Sequence, residues 1–505
     1  MKLGLFFGAG AEISYGLPSG GRFAIELFRK DPTEYKKELR VKLQNINSRS
    51  VYANNWLPKD YQNKKIFAFG KNEFTTIIES SIQYKRKEII NFLNNFDSEF
   101  KMACNQVGVL DQDMRSKYHQ DVGCNIGDIL YGQDIILNKK LADEVKLFES
   151  EYFSSCLEVI KRQRNCDDLR RYIVAFLQLL VGAYGQEFVQ NLNEELFESA
   201  PDDIPIFDDI FGMFRLEFDK VGSTALELLL NEKRSFDISG DANSIQLFSA
   251  VTQKILENLF AMVLDYQKLI DDHFRYLFSP QTEWAKFTKM VIFLEIAHKY
   301  ITEQFPDILP NDGYYHDIKE IFQQGDNVEV IGTTNYNNIF QKVSINLGIP
   351  DIPVYHLNGS TVDFYNPYKN EVISSQTRDE NEQILVPFML TQSGLKPLTS
   401  VEMSRRYVEL FDKLKLVDCV ISIGFGFNKD DSHINGIFRE LIEKHNKKVY
   451  IVTVSDKDTE KEIRKRLRID KNVDNLKVIL VDRTTRKKDD KFWFNLIELD
   501  DKSDK

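Results

Sequence analysis

The opening segment constrains the fold of this chain more strongly than any other. An apolar run over residues 3–7 leads directly into Gly8, Gly10 and Gly16, which predicts a buried β-strand followed by a tight turn. Glycines after a strand let the backbone turn sharply and approach a ligand closely, with N–H groups available to phosphate oxygens. The GxGxxG spacing of dinucleotide-binding turns is not met, because Ile13 stands where the third glycine would fall. Two interpretations therefore stand: a phosphate-binding turn, or an ordinary turn after a strand.

Composition excludes several classes of protein. The chain has 505 residues and a net charge of −11, a length sufficient for more than one domain. Such an acidic chain argues against general binding of duplex nucleic acid, so we expect no direct nucleic-acid partner. The longest compact apolar run, residues 172–184, is shorter than the roughly 20 residues that span a bilayer. We therefore expect a core helix there and no membrane partner.

The five cysteines are scattered and form no C-x-x-C pair. This spacing predicts neither a zinc ribbon nor a disulfide framework, and the histidines also lack metal-ligand spacing, so we expect no metal site. Unpaired cysteines suit a reducing compartment, and the first residues lack the pattern of a signal peptide. We therefore expect a cytoplasmic protein.

The period of the apolar residues changes along the chain and predicts its domains. From about residue 33 to 325 the pattern is mostly helical; in residues 255–270, for example, apolar residues recur every three or four positions. After residue 325, short apolar strands alternate with helical stretches, which is typical of a parallel sheet. We predict an α/β fold, a Rossmann-like, mostly parallel sheet interrupted by a large helical insertion domain. The predicted parts are residues 1–32 and 326–490 for the sheet, 33–325 for the insertion and 491–505 for a C-terminal tail.

Polar residues follow several of the predicted strands. In open α/β sheets a ligand lies beyond the carboxyl ends of the strands, and four segments place polar residues there. These segments are the glycine turn and residues 332–338, 356–360 and 424–433. Asp456 follows a further strand, at a position where dinucleotide-binding folds often place a carboxylate on the ribose hydroxyls.

The order of these motifs resembles one protein family. The chain carries G-A-G-A, G-x-P, T-x-N-x-[DN], a His/Asn-Gly segment and G-F-G-F in turn, over the opening segment and residues 325–485. Together with residues 390–400, this order is similar to the divergent sirtuin-like domains of bacterial anti-phage defence systems. The resemblance implies an enzyme that binds NAD+ as its substrate across the crevice of the sheet. It implies cleavage of the nicotinamide–ribose bond and defence by depletion of cellular NAD.

Carried over position by position, the resemblance implies that Asn335 is the catalytic asparagine, which orients the ribose or the attacking water. The family motif has a histidine directly before a glycine, whereas this chain has Asn358 before Gly359, with His356 two positions earlier. Alternate residues of a strand share one face, so two readings stay open: His356 is the base, or Asn358 occupies its place. We expect His356 to be the base. The residues expected to bind NAD are Gly8, Ala9, Gly10, Glu12, Pro18, Thr333, Thr334, Asn337, Asn358, Gly424, Gly426 and Asp456.

One module of the family has no counterpart in this sequence. Protein-deacylating sirtuins carry a four-cysteine zinc ribbon that helps to form a peptide cleft, and the scattered cysteines cannot supply it. We therefore expect no zinc, and water rather than an acyl group as the reaction partner of the ribose. This favours NAD+ hydrolysis, with nicotinamide and ADP-ribose as the products.

An enzyme that depletes NAD must be restrained in healthy cells, so we expect a regulator. The helical insertion is the candidate surface for a homo-oligomer, and a partner ATPase or a phage protein is the candidate trigger. A second hypothesis is an NAD- or ADP-ribose-binding sensor or scaffold that has lost catalysis, supported mainly by Asn358. A third is protein deacylation or ADP-ribosyl transfer, which predicts a modified protein instead of free ADP-ribose.

Overall fold

The structure is a computed structural model, and its elements are numbered here in chain order. The residues it describes are 1–17, 20–70, 73, 76, 80, 82, 84–133, 136–137, 145–184, 197–199, 223–230, 235–263, 275–304, 309–374, 383–389, 400–470 and 473–497. The strands are β1 (Lys2–Phe7), β2 (Ile136–Leu137), β3 (Phe197–Ser199), β4 (Asn327–Thr333), β5 (Val354–His356), β6 (Gly359–Asn366), β7 (Glu371–Ser374), β8 (Val386–Met389), β9 (Cys419–Ile423), β10 (Lys448–Thr453), β11 (Leu476–Leu480), β12 (Lys487–Lys488) and β13 (Lys491–Phe492).

The α-helices are α1 (Gly20–Arg29), α2 (Thr33–Asn45), α3 (Val51–Trp56), α4 (Arg86–Asn94), α5 (Phe96–Val107), α6 (Asp111–Val122), α7 (Glu151–Arg162), α8 (Asp167–Tyr184), α9 (Ser223–Leu230), α10 (Ser244–Val263), α11 (Trp284–Glu303), α12 (Tyr314–Gln323), α13 (Ile339–Leu347), α14 (Val401–Leu416), α15 (Ser432–Glu443) and α16 (Glu460–Leu467). Short 3-10 helices are Ala9–Tyr15, Tyr131–Gln133, Leu147–Glu149, Arg275–Phe278, Lys429–Asp431 and Trp493–Leu496.

Six strands form a sheet in the order β11-β10-β9-β1-β4-β5, and every pair in it is parallel. Numbered along the chain, the same strands run 3-2-1-4-5-6, the order of doubly wound dinucleotide-binding sheets. The order reverses between β1 and β9, so the chain leaves β1 toward one side and later returns to the other. The predicted α/β fold with a Rossmann-like parallel sheet is confirmed.

The sheet is buried on both faces, which explains why its strands are apolar throughout. Leu3, Leu5 and Phe7 of β1 belong to one hydrophobic cluster, and Phe6 belongs to another. Successive side chains of a strand point to opposite faces, so these two clusters are the two layers above and below the sheet. Strand β1 therefore lies in the middle of the core, with the turn after it at the carboxyl edge of the sheet.

Contacts within the chain define two compact units. The first comprises Met1–Ser19, Asp31–Ala68 and Gln267–Lys505, and it contains the parallel sheet. It also contains an antiparallel sheet in the order β7-β6-β8, which follows β5. The first unit includes residues that the sequence analysis assigned to the insertion, on the inner side of both predicted boundaries. The division into compact units therefore does not follow the predicted boundaries at residues 33 and 325, which stay a prediction.

The second unit comprises Gly20–Lys30 and Phe69–Tyr266 and is mostly helical. Helix α10 packs against α1, α5 and α8 at its centre. Phe100 stacks on Tyr152 with ring centroids 4.3 Å apart, and Arg29 pairs with the buried Glu257 at 3.1 Å. Within the described residues, no helix of either unit combines the length and apolar character needed to cross a membrane.

Candidate functional site

The turn after β1 is bound tightly to the turn after β9. The N–H of Gly8 donates to the carbonyl of Ile423, and the N–H of Gly10 donates to that of Gly424, both at 2.9 Å. The N–H of Ala11 donates to the carbonyl of Gly8 at 3.1 Å and begins the 3-10 helix. The two turns meet where the strand order reverses, which is the place where doubly wound sheets bind their ligands.

This close approach requires glycine on both sides. A Cβ on Gly8 would lie 2.5 Å from the carbonyl oxygen of Gly424. Gly424 has a φ of +67°, and its own Cβ would lie 2.3 Å from the nitrogen of Ala11. Packing between the turns therefore accounts for these glycines, and the N–H groups of Gly8, Gly10 and Ala11 already have protein acceptors. The backbone of Ala9 and Gly10 is exposed and remains accessible to a ligand.

A cavity of about 610 Å³ opens beside this turn, a size within the range of small-molecule sites. Its walls come from the glycine turn, the ends of β9 and β10, the segment after β11 and the start of α12. The lining residues are Gly10, Ile13, Ser14, Pro310, Asp312, Tyr314, Gly424, Phe425, Gly426, Val452, Thr453, Val454, Ser455, Asp458, Arg483, Thr484 and Arg486. Among the predicted NAD-binding residues, Gly10, Gly424 and Gly426 lie on this wall.

Gly426 differs from the other glycines of the site. It is exposed, and a Cβ there would approach nothing closer than the side chain of Asn428 at 3.4 Å. Packing within the protein therefore does not demand glycine at this position, and the exposed backbone suits the close approach of a ligand.

A carboxylate near the end of β10 lines the cavity. Asp458 accepts a hydrogen bond from the hydroxyl of Thr453 at 2.7 Å and pairs with Arg466 at 2.8 Å. The predicted Asp456 is exposed in the same turn and is not among the lining residues. The sequence shows two aspartates after a strand, and only the turn geometry decides which one faces the cavity.

Two arginines line the cavity, and their surroundings differ. Arg486 is buried, and its guanidinium donates to both carboxylate oxygens of Asp317, at 2.8 and 2.9 Å, and to Asp312. Hydrogen bonds from Arg486 lower the pKa of Asp312, and this single guanidinium is already engaged by two carboxylates. Arg483 is exposed, and among the described residues it has no ion-pair partner. Arg483 is therefore the cation of the wall that is available to an anionic ligand.

On the other side of the glycine turn lies Asn335, in the turn after β4. The hydroxyl of Thr333 donates to the carbonyl of Phe7 at 3.0 Å and accepts from the N–H of Asn335 at 3.0 Å. The N–H of Thr334 also donates to Phe7, at 3.1 Å. The side-chain Nδ2 of Asn335 donates to the carbonyl of Gly8 at 3.1 Å. The structure thus brings Thr333, Thr334 and Asn335 to the glycine turn.

Glu12 is buried beneath these turns. Its Oε1 accepts a hydrogen bond from the hydroxyl of Tyr315 at 2.6 Å, and its Oε2 accepts one from Nδ2 of Asn337 at 2.6 Å. Burial raises the pKa of Glu12 to about 7. Glu12 and Asn337, both predicted to bind NAD, therefore contact each other. Tyr315 was not predicted, since it lies 303 positions from Glu12 in a segment without a recognisable motif.

His356, at the end of β5, is also hydrogen-bonded to the turn after β4. Its Nδ1 lies 2.8 Å from the carbonyl oxygen of Asn335, which only accepts, so Nδ1 carries the proton of the neutral ring. Its Nε2 then accepts from Nε2 of Gln341 at 3.3 Å. Burial lowers the pKa of His356, which favours this neutral form. Asn358 is buried in the turn between β5 and β6, and the choice of base between it and His356 stays open.

Two of the predicted features lie outside the described residues. They are Pro18 and residues 390–399 of the family-like segment. Compared with family models, with curated proteins and with solved structures, the chain matches none. Its function is therefore inferred from the geometry of the site.

Proposed function

We propose that this chain is an NAD+ hydrolase that cleaves the nicotinamide–ribose bond. One arrangement carries the proposal: the glycine turn lies where the strand order reverses, between a nucleotide-sized cavity and Asn335 with its neighbour His356. A dinucleotide laid across this edge would place its adenosine half in the cavity and its pyrophosphate beside Ala9 and Gly10. Its nicotinamide half would then reach the ends of β4 and β5.

The polar groups on the β4–β5 side suit the chemistry of the bond. Loss of nicotinamide leaves an oxocarbenium-like ribose, water adds to its anomeric carbon, and the water loses a proton. The balanced reaction converts NAD+ and water into nicotinamide, ADP-ribose and a proton. Asn335 would orient the ribose hydroxyls or the water, and the neutral Nε2 of His356 would take the proton. Water serves as the acceptor, so the scheme uses neither zinc nor a peptide cleft.

The biological role belongs to the same proposal and is supported by the resemblance to sirtuin-like defence domains. Hydrolysis in the cytoplasm would deplete NAD during phage infection. Self-association through the helical insertion would control the enzyme, and a partner ATPase or a phage protein would act as its trigger. Expression in cells with Asn335→Ala as the control tests this role, since only the intact enzyme would lower cellular NAD after infection.

One observation favours a second candidate, an NAD- or ADP-ribose-binding sensor or scaffold without turnover. Both ring nitrogens of His356 have protein partners, and Asn358 stands where the family carries its histidine. A base needs a free lone pair at the reacting water, so His356 would have to release Gln341 before it could act.

The deciding experiment incubates the purified chain with NAD+ and separates nicotinamide and ADP-ribose by chromatography. Both products should form in equal amounts with the wild type and disappear with Asn335→Ala. The matched control is Asn327→Ala, an exposed asparagine at the opposite end of β4 that should leave turnover unchanged. His356→Ala and Asn358→Ala would then identify the base. Binding of NAD+ without products supports the sensor, and no binding at all refutes both candidates.

A further inference from the structure

We propose that Glu12 is a positioning residue: through the hydroxyl of Tyr315 it holds the side-chain amide of Asn335 in one orientation, with Oδ1 left for the substrate. The role in turnover rests on the proposed hydrolase function, whereas the hydrogen-bond arrangement itself does not. We call Glu12, Tyr315 and Asn335 the hydrogen-bond chain.

The direction of each hydrogen bond follows from donor and acceptor chemistry. An ionised Glu12 only accepts, so Tyr315 must donate its hydroxyl proton to Oε1 at 2.6 Å. Burial and the neighbouring Glu12 raise the pKa of Tyr315 well above its ordinary value, so the proton is present. The Tyr315 oxygen then offers only lone pairs, and Asn335 must present Nδ2 to it, at 3.3 Å. The carbonyl oxygen of Gly8 also only accepts, so it too requires Nδ2 of Asn335, which lies 3.1 Å away.

Both N–H bonds of the Asn335 amide are thereby used inside the protein. Among the described residues its Oδ1 has no hydrogen-bond partner, which leaves an acceptor for a ribose hydroxyl or the attacking water. A flipped amide would point Oδ1 at two oxygens and present N–H groups to the substrate. Glu12 therefore decides which kind of hydrogen bond Asn335 offers, without touching the substrate itself.

Packing fixes the middle of the hydrogen-bond chain in place. The ring of Tyr315 stacks on Tyr15 with centroids 5.1 Å apart and meets Phe7 edge-on at 4.9 Å. The N–H of Tyr315 also donates to the hydroxyl of Tyr15 at 3.0 Å. Because the ring of Tyr315 is packed on two sides, its hydroxyl oxygen stays in place. A change at Glu12 therefore alters which group donates and which accepts in the hydrogen bond, and not the position of the tyrosine.

Protonation of Glu12 would change which groups donate and which accept in the hydrogen-bond chain. The titratable group in contact with Glu12 is Tyr315 from α12. Two more lie beyond it: Tyr15, whose hydroxyl accepts from the N–H of Tyr315, and His316, which lies 3.0 Å from that hydroxyl. From the turn after β4, Glu12 is faced by the neutral amides of Asn335 and Asn337. A protonated carboxyl turns one of its acceptors into a donor, so either Tyr315 or Asn337 loses its acceptor. With the pKa of Glu12 at about 7, this change falls close to neutral pH.

The test compares Tyr315→Phe and Glu12→Gln with the wild type in NAD+ hydrolysis across pH. Tyr315→Phe removes only the hydroxyl, and we expect kcat to fall about tenfold or more with little change in KM. The wild-type kcat should rise with pH through about 7, and both variants should lack this rise. The matched control is Tyr172→Phe, a buried tyrosine of the second unit whose hydroxyl donates to Gln253 at 2.8 Å. Wild-type kcat and an unchanged pH profile in Tyr315→Phe would overturn the proposal.

A second measurement separates this inference from the proposed function. Infrared difference spectra taken on the two sides of pH 7 report the C=O stretch of a buried protonated carboxyl. The hydrogen-bond chain predicts a band that is absent in Glu12→Gln and shifted in Tyr315→Phe. If NAD+ is not hydrolysed but the band behaves in this way, the function fails and the Glu12–Tyr315 hydrogen bond, on which the positioning of Asn335 rests, stands. A band that Tyr315→Phe leaves unshifted refutes the positioning, whatever the turnover. If Glu12→Gln does not fold, Tyr315→Phe carries both tests.

Discussion

Replacement of Arg486 by methionine should destabilise the first unit strongly. The side chain of Arg486 is only 4% exposed, and that of its partner Asp317 is 5% exposed. Methionine fills much of the volume but leaves the Asp317 carboxylate buried without its counter-charge. Removal of one partner from a buried ion pair costs about 3–5 kcal/mol. Asp317 keeps one donor, because Nε1 of Trp493 lies 2.8 Å from Oδ2. We therefore expect the lower end, about 3 kcal/mol.

The assay is urea unfolding followed by tryptophan fluorescence. The chain has three tryptophans, Trp56, Trp284 and Trp493, and all of them lie in the first unit, so the signal reports on the unit that holds the pair. The matched control is Lys415→Met, which breaks the more exposed pair with Asp412 on α14 and should cost less than about 1 kcal/mol.

A double variant tests the physical reason behind this number. Asp317→Asn combined with Arg486→Met removes both buried charges and keeps an oxygen for the N–H of Trp493. If the uncompensated charge is the cause, the double variant should be more stable than Arg486→Met by roughly 1–2 kcal/mol. The reasoning would be refuted if the losses of unfolding free energy in the two single variants simply add in the double variant. A loss below about 1 kcal/mol in Arg486→Met would refute it as well.

Three further predictions concern the site. Gly8→Ala should destabilise the first unit by about 1–3 kcal/mol, because its Cβ would lie 2.5 Å from a backbone oxygen. The control Gly436→Ala, in the same unit, should cost less in the same unfolding assay, because a Cβ there would meet nothing closer than the Arg439 side chain at 3.8 Å. The pKa of Glu12 rises from 4.5 to about 7 on folding, so the folded state keeps a proton that the unfolded state releases. The free energy of unfolding of the wild type, relative to that of Glu12→Gln, should therefore fall by about 3 kcal/mol as the pH rises from 4.5 to about 7. Curves of unfolding free energy against pH that run parallel for the two proteins would contradict this. Arg483→Glu should weaken NAD+ binding measured by calorimetry, and the difference should shrink at high salt, because the exposed Arg483 faces the cavity; equal affinity would contradict this.

The local patterns of the sequence predict much of the fold. The apolar run before Gly8 becomes β1, and five of the strands after residue 325 join it in the parallel sheet. The predicted strand near residues 384–388 instead becomes β8, which pairs with β6 in the antiparallel sheet. These patterns are readable because side-chain direction repeats every two residues in a strand and every 3.6 in a helix. They also predict that polar residues such as Asn335 and His356 follow strands, and parallel strands bring those ends to one edge of the sheet.

The precise contacts of the site are less accessible to the sequence. The sequence leaves two interpretations of the glycine turn, a phosphate-binding turn or an ordinary one. In the structure the N–H groups of Gly8 and Gly10 donate to the carbonyls of Ile423 and Gly424, at the end of β9. The choice between Asp456 and Asp458 depends on the turn after β10, and no motif leads to Tyr315. Each of these outcomes depends on backbone geometry within a few ångströms, which residue type alone does not specify.

By itself, the sequence determined the strands of the parallel sheet and the helical character of long stretches of the chain, and that glycines and polar residues cluster at strand ends. Tertiary structure alone decided that Gly8 meets Gly424. It also decided that Glu12 is linked to Asn335 by hydrogen bonds through Tyr315, which lies 303 positions from Glu12 in the sequence. The physical reason is that secondary structure depends on neighbours along the chain. A hydrogen bond between distant segments depends instead on strand order and on the packing of both faces of the sheet.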